Sequence, residues 1–224
     1  PLVAGFFLPT ILLMTQPVNP PLSDATPASR EDAHLVERTL SQQEILKGHF
    51  LHAFRDQVAL PDGQTTLREY VVHPGAVMIV PILPDGRLVV ERQYRYPVSR
   101  TMIEFPAGKL DPGEGGLVCA QRELFEETGY RATRWAKAGV MHPVIGYANE
   151  FIEVWFADGL VAGERQLDEG EFLDVFEATQ AQLEGWMRDG RLTDAKTIVG
   201  MMWLAQWRSG ACTLTWTEVP ASPV

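Results

Sequence analysis

The 23 residues from Gly108 to Tyr130 constrain this chain more than any other stretch. They open on Gly108-Lys109-Leu110-Asp111-Pro112-Gly113-Glu114, a run whose glycines and proline read as a loop. After seven more residues comes Arg122-Glu123-Leu124-Phe125-Glu126-Glu127-Thr128-Gly129-Tyr130. This part predicts a helix from about Gly115 to Thr128, closed by Gly129 just past its end. On that helix Glu123, Glu126 and Glu127 stand at i, i+3 and i+4 and so share one face. Three like charges side by side repel one another, and a solvated helix has little reason to collect them. A hard divalent cation such as Mg²⁺ or Mn²⁺ takes oxygen ligands and removes the penalty. The plain alternative is an acidic surface helix bounded by glycines.

The pattern resembles the Nudix box, GX5EX7REUXEEXGU, in which U is a bulky apolar residue. Gly108, Glu114, Arg122, Glu123, Leu124, Glu126, Glu127 and Gly129 meet its positions, and Tyr130 stands at the final U, where an aliphatic residue is more usual. The resemblance implies an α/β fold, a Nudix-type α/β/α sandwich with a mixed sheet. It also implies metal-dependent hydrolysis of a nucleoside diphosphate linked to another group. On the same resemblance Glu123 and Glu127 are direct ligands of Mg²⁺ (or Mn²⁺) and Glu126 is a shared or assisting one. The backbone carbonyl of Ala107 completes the set. Arg122 holds a box glutamate through a charge-assisted hydrogen bond, and Glu114 braces the loop.

Further stretches are similar to the ADP-ribose pyrophosphatase subgroup. They are Leu60-Pro61-Asp62-Gly63, His73-Pro74-Gly75-Ala76-Val77, Arg92-Gln93-Tyr94-Arg95-Tyr96 and Glu104-Phe105-Pro106-Ala107-Gly108-Lys109-Leu110-Asp111. The subgroup implies cleavage of ADP-ribose to AMP and ribose 5-phosphate, with GDP-mannose or another nucleoside diphosphate sugar as the nearest alternative. Arg95 is then the contact to the diphosphate, its planar fork matching phosphate oxygens, unless its role is structural. Glu104 hydrogen-bonds the substrate or anchors Arg95, unless it is a strand-edge charge. The loop from His142 to Glu150 falls where these enzymes carry an acid, which makes Glu150 a candidate general base or extra metal contact. The subgroup commonly reads Ser-Pro-Gly in this loop, whereas here Val144 and Ile145 separate Pro143 from Gly146. Phe50 and Arg68 fall near regions that meet the nucleobase from a partner subunit. Phe50 would stack on adenine, the alternative being a core phenylalanine. A Nudix ligand-binding regulator without hydrolysis would show a degraded glutamate set or an appended DNA-binding domain, and the sequence shows neither.

Composition agrees with one large domain or a domain with an appendage. Hydrophobic residues make up 46% of the chain and six are Trp, enough to fill a core and to exclude global disorder. The formal net charge of −10 argues against a reader of nucleic-acid backbones. Cys119 and Cys212 lie far apart in sequence with no zinc-type cluster, as in a cytoplasmic protein with reduced thiols. The apolar run Pro1–Met14 is shorter than a membrane-spanning helix, which needs about 18–20 residues, and no charged segment precedes it. Met14 offers a natural start, the other options being a trimmed signal or anchor segment.

We therefore expect a flexible leader over residues 1–30, a small N-terminal β subdomain over 31–72, the hydrolase domain over 73–210 and a tail over 211–224. Glu31–Gln43 is read as loop or short helix. Leu46–Leu60 and Thr65–Val72 are read as strands of a hairpin too small to bury its own apolar face, hence a homodimer. Ala76–Leu83 and Arg87–Tyr94 are read as strands paired through the turn Pro84-Asp85-Gly86. Strands follow at Met102–Phe105, Arg134–His142, Phe151–Leu160 and Glu171–Phe176. A helix capped by Thr179 with Gln182 ends at Asp189, and another, capped by Thr193, runs to Arg208.

Overall fold

The computed structural model describes residues 31–167 and 169–220. The expected leader and the last residues of the expected tail, 221–224, lie outside them. The described chain divides into two compact units, 31–47 with 53–69, and 48–52 with 70–220.

The first unit is built on a three-stranded sheet of order β1-β2-β3, with β1 at Arg38–Lys47, β2 at His52–Ala59 and β3 at Thr65–Val72. Central β2 buries every second residue, Phe54, Asp56 and Val58, as expected for a strand with one covered face. Two expectations are corrected here. Residues 38–43 are strand, not loop or helix, and the strand expected over Leu46–Leu60 is two strands. Gly48 breaks it, its N–H donating to the Leu51 carbonyl at 2.8 Å across a tight turn. β1 is exposed over almost its whole length, so no buried alternation marks it in the sequence.

The second unit carries two sheets. A mixed five-stranded sheet has the order β11-β8-β9-β4-β7, from β4 (Ala76–Pro81), β7 (Ala107–Lys109), β8 (Tyr130–Met141), β9 (Ile152–Ala162) and β11 (Thr217–Glu218). β4 runs parallel to β9, and the other pairs are antiparallel. A three-stranded antiparallel sheet of order β10-β5-β6 joins β5 (Leu88–Arg95), β6 (Arg100–Glu104) and β10 (Leu173–Ala178). Helix α1 (Gly116–Thr128) covers one face of β4 through Cys119, Ala120 and Leu124 against Val77 and Ile79. On the other face Met78 and Val80 join Val90 of β5 in one core. Leu183 of α2 (Gln180–Arg188) and Met201 and Leu204 of α3 (Ala195–Arg208) complete it. Helices on both faces of a mixed sheet make the α/β sandwich that the sequence predicts.

β4 and β5 are not partners, contrary to expectation; only an isolated bridge joins Ile82 to Leu88. All six residues of β4 are buried, so it needs neighbours on both sides and takes them from β9 and β7. The box Thr179/Gln182 does cap α2, with both reciprocal bonds formed. α3, however, is capped by Asp194 and not by Thr193; its carboxylate accepts the Thr197 N–H at 2.9 Å. Within α3 Met201 and Leu204 are buried while Met202 is exposed. The segment expected as tail also differs: β11 pairs with β8, and Trp216 packs on Trp207 with ring centroids 5.7 Å apart. Among the described residues no helix is long and apolar enough to cross a membrane.

Candidate active site

Strand β7 delivers the glycine loop and α1 delivers the acids. Gly129 closes α1 in the left-handed conformation, φ 76°, with its N–H on the Phe125 carbonyl at 2.8 Å. Within the helix Arg122 acts as a latch for several carboxylates. Its Nε and one terminal nitrogen grip the two Glu114 oxygens at 3.0 and 2.9 Å. The other terminal nitrogen donates to Glu123 at 2.8 Å and to Glu126 at 3.0 Å. Glu114 also accepts the Asp111 N–H at 3.1 Å, so the arginine ties the loop to the helix. That fork holds the Glu114 carboxyl down at about 2.

Glu123 and Glu127 behave oppositely. Burial pushes Glu123 up to about 7, against the pull of Arg122. Glu127, 3% exposed, is raised well above the carboxylate range by burial first and then by the nearby charges of Glu91 and Glu123. One of its oxygens accepts the Ala107 N–H at 3.0 Å, which fixes the loop residue whose carbonyl the sequence nominates as a ligand. A Cβ on Gly108 would fall 1.8 Å from the Glu123 carboxyl carbon, so glycine is what lets the loop lie against that acid. Among the described residues no three Asp, Glu, His or Cys side chains close on one point. Arg122 draws off Glu123 and Glu126, and Ala107 draws off Glu127. The donors nonetheless fit a hard divalent cation. They are all oxygens, and two of them are crowded, buried carboxyls whose mutual repulsion a cation would relieve.

These groups open on a cleft of about 610 Å³. Phe50, Arg95, Ala107, Arg122, Glu123, Glu127 and Glu150 all line it, which brings together most of the residues nominated from the sequence. Phe50 is not in the core: it is 55% exposed, stands edge-on to His73 and has Lys109 Nζ 4.5 Å from its ring centroid. Glu150 lies 3.9 Å from His73 Nε2, in a loop pinned by Val71 N–H to Tyr147 O at 2.8 Å and His73 N–H to Asn149 Oδ1 at 2.7 Å. Burial lowers the His73 pKa despite that acid. Glu104 does not line the cleft but sits behind Arg95, which grips it with two bonds of 2.7 and 2.8 Å. Arg68 belongs to the other unit, where Glu37 holds its guanidinium at 2.9 Å.

Four residues of the site were not nominated from the sequence. Glu171, just before β10, lines the same cleft, and its charge helps to raise Glu91, Glu123 and Glu127. Lys196, in the first turn of α3, also lines it and is ion-paired with Glu104 and Asp194. Gln93 lines it with a buried side-chain oxygen that has no hydrogen-bond partner. Glu91 is fully buried with neither oxygen bonded, and burial, then Glu104, pushes its pKa up to about 8. Glu91, Gln93 and Arg95 alternate along β5 and so share one face. The signal was therefore present, as charged and polar residues at every second position of a strand whose first half is apolar.

Comparison with known proteins gives a consistent result. Residues 72–196 match the NUDIX domain, and residues 37–71 match the nucleoside diphosphate sugar hydrolase N-terminal domain. The chain is 37% identical over 172 residues to an ADP-ribose pyrophosphatase of Bacillus subtilis, covering 76% of this chain and 93% of that one. It is 38% identical over 172 residues to a methanol dehydrogenase activator of Bacillus methanolicus, covering 75% and 92%. A crystal structure of an ADP compounds hydrolase superposes with a TM-score of 0.72 at 23% identity, over 79% of this chain and 97% of that chain, and shares the fold. A latched glutamate helix on this fold, and a domain match spanning more than half of the sequence, place the chain in the Nudix family of hydrolases.

Proposed function

We propose that the chain hydrolyses the pyrophosphate bond of ADP-ribose to give AMP and ribose 5-phosphate. The observation that carries this reading is a single cleft lined by Arg95 together with the box carboxylates Glu123 and Glu127. A cation suited to a diphosphate thus shares a cleft with acids suited to a metal. The similarity to an ADP-ribose pyrophosphatase over most of both chains supports the choice of sugar nucleotide.

Glu123 and Glu127, assisted by Glu126 and the Ala107 carbonyl, would hold Mg²⁺ or Mn²⁺. A divalent cation bound there would offset the diphosphate charge and lower the pKa of water. Arg122 keeps Glu123 and Glu126 in place before and after turnover. Arg95 clamps the diphosphate, and Glu104 anchors Arg95 at the cleft before substrate arrives. Glu150 accepts a proton from the attacking water. Glu171 also lines the cleft from outside the box, and comparing Glu150→Gln with Glu171→Gln assigns the base to the variant that loses more turnover. Phe50, exposed at the cleft, and Arg68 are the proposed nucleobase contacts, Arg68 being offered to a second copy of the chain. A homodimer with a cytoplasmic location, where Cys119 and Cys212 stay unpaired, completes the proposal.

The test is a panel of nucleoside diphosphate sugars and nucleoside triphosphates assayed with Mg²⁺ for released monophosphate. ADP-ribose is expected to give the highest kcat/KM. Faster release from GDP-mannose would move the assignment to another sugar, and activity on triphosphates alone would overturn it.

A further inference from the structure

Arg95 cannot hold Glu104 and a diphosphate with the same prongs. Its guanidinium now spends two donors on Glu104, at 2.7 and 2.8 Å. The Glu104 side chain is 2% exposed, and a buried carboxylate stripped of its counter-ion is strongly unfavourable. If Arg95 were its sole partner, turning toward substrate would leave that charge bare. Glu104 has a second cation, however: Lys196 Nζ is bonded to the same carboxylate.

The two cations differ in freedom. The Arg95 side chain is 40% exposed, at the last position of β5, whereas Lys196 is 13% exposed. Lys196 is tethered again by Asp194 at 3.1 Å, and Asp194 is itself fixed as the cap of α3 by the Thr197 N–H at 2.9 Å and the Thr197 hydroxyl at 2.7 Å. The Thr197 hydroxyl in turn accepts the Phe105 N–H at 2.9 Å, which locks α3 to the residue after Glu104. Together the cations outweigh burial and hold the Glu104 carboxyl below its ordinary range. Glu91, opposite Glu104 across the β5–β6 pair, is raised to about 8 by burial, so Glu104 is the carboxylate that the cations share near neutral pH.

We propose that Lys196 is the resident counter-ion of Glu104, whose presence frees Arg95 to leave that carboxylate and take the substrate diphosphate. Lys196 is thus a positioning residue, acting through Glu104 and Arg95. The proposal rests on Arg95 being the diphosphate contact.

Steady-state kinetics with Mg²⁺, on the sugar nucleotide turned over fastest, test it. Lys196→Met should tie Arg95 to Glu104 and raise KM about tenfold, with kcat within about threefold of the parent. Lys196→Arg should keep KM near the parental value. In a Glu104→Gln background, where no charge needs a partner, Lys196→Met should leave KM unchanged. Lys196→Gln is made alongside, and melting curves of each variant identify a folding failure. Arg95→Ala separates the two levels of the reading. If it does not raise KM, the diphosphate clamp itself is wrong. If it does, but Lys196→Met and Lys196→Gln leave KM unchanged, or multiply with Glu104→Gln, the counter-ion role is wrong.

Discussion

Gly108 lies so close to the box helix that a single methyl group tests the arrangement. A Cβ there would meet the Glu123 carboxyl carbon at 1.8 Å, so in Gly108→Ala that carboxyl must turn away from its present position. Misplacing a reacting group by about 1 Å costs on the order of 10²-fold in rate, and that loss of kcat is expected with the fold retained by circular dichroism. Parental turnover in Gly108→Ala would mean that Glu123 does not act where the structure puts it. Glu127→Gln tests charge where Gly108→Ala tests position. It keeps the shape and the bond to the Ala107 N–H while deleting the charge, and should lower kcat on the order of 10³-fold or more. Activity within about tenfold of the parent would remove Glu127 from the ligand set. The box residues were legible in the sequence because helical periodicity alone puts Glu123, Glu126 and Glu127 on one face. Glu171 and Lys196 were not, because only the packing of β10 and α3 against β5 and β6 brings them to the same cleft.

β5 shows how an element can be recognised and still be misplaced. Its β-branched apolar start and the turn before it mark a strand, and strand is what forms, although its second half, Glu91 to Arg95, is polar throughout. Its partners are β6 and β10 instead of β4, and the turn at Pro84-Asp85-Gly86 gives no hint of that. The deciding fact is that β4 is buried on both faces, which depends on distant strands that no local pattern encodes. The consequence for function is Glu91. Sharing a strand face with Gln93 and Arg95, it is carried into the interior with neither oxygen bonded, and burial lifts its pKa to about 8. The folded state therefore keeps a proton that the unfolded chain releases near pH 4.5, and folding stability falls as pH rises between those values. Above about 8 the full cost of a buried charge is present. Glu91→Gln removes this group from the titration. Thermal melts of the metal-free protein between pH 6 and 8.5 should show a smaller decline in Tm for the variant, with the largest gain over the parent at pH 8.5. Identical slopes for the two proteins would show that Glu91 does not hold its proton in the folded state.

The three-stranded sheet exposes apolar side chains, and which ones it exposes changes the reason for expecting a dimer. The apolar residues in and just before β2 include Phe50, Leu51, Phe54 and Val58. Phe54 and Val58 are in fact buried within the chain, at 4% and 6% exposure, which leaves Phe50 and Leu51 from that set. Further exposed apolar side chains stand on this sheet: Leu40 and Leu46 on one face of β1, Ile45 on its other face and Leu67 on β3, each more than 40% exposed. Among the described residues β1 is also an edge strand, ten residues long, and long edge strands recruit other strands. Its charged residues are Arg38 and Lys47 at the ends and Glu44 next to Ile45. A second copy related by a two-fold axis covers such a surface with the fewest new features, since the same strand and the same leucines meet themselves. We therefore expect light scattering at micromolar concentration to give twice the chain mass. Leu40→Lys combined with Leu46→Lys, two changes on one face of β1, should give a monomer that keeps its metal site and its melting transition. Because Phe50 and Arg68 are proposed as nucleobase contacts made through the pair, that monomer should bind ADP-ribose more weakly, with KM up roughly tenfold. A clean monomer for the parent chain, or a charged variant that stays dimeric, would place the self-association surface elsewhere.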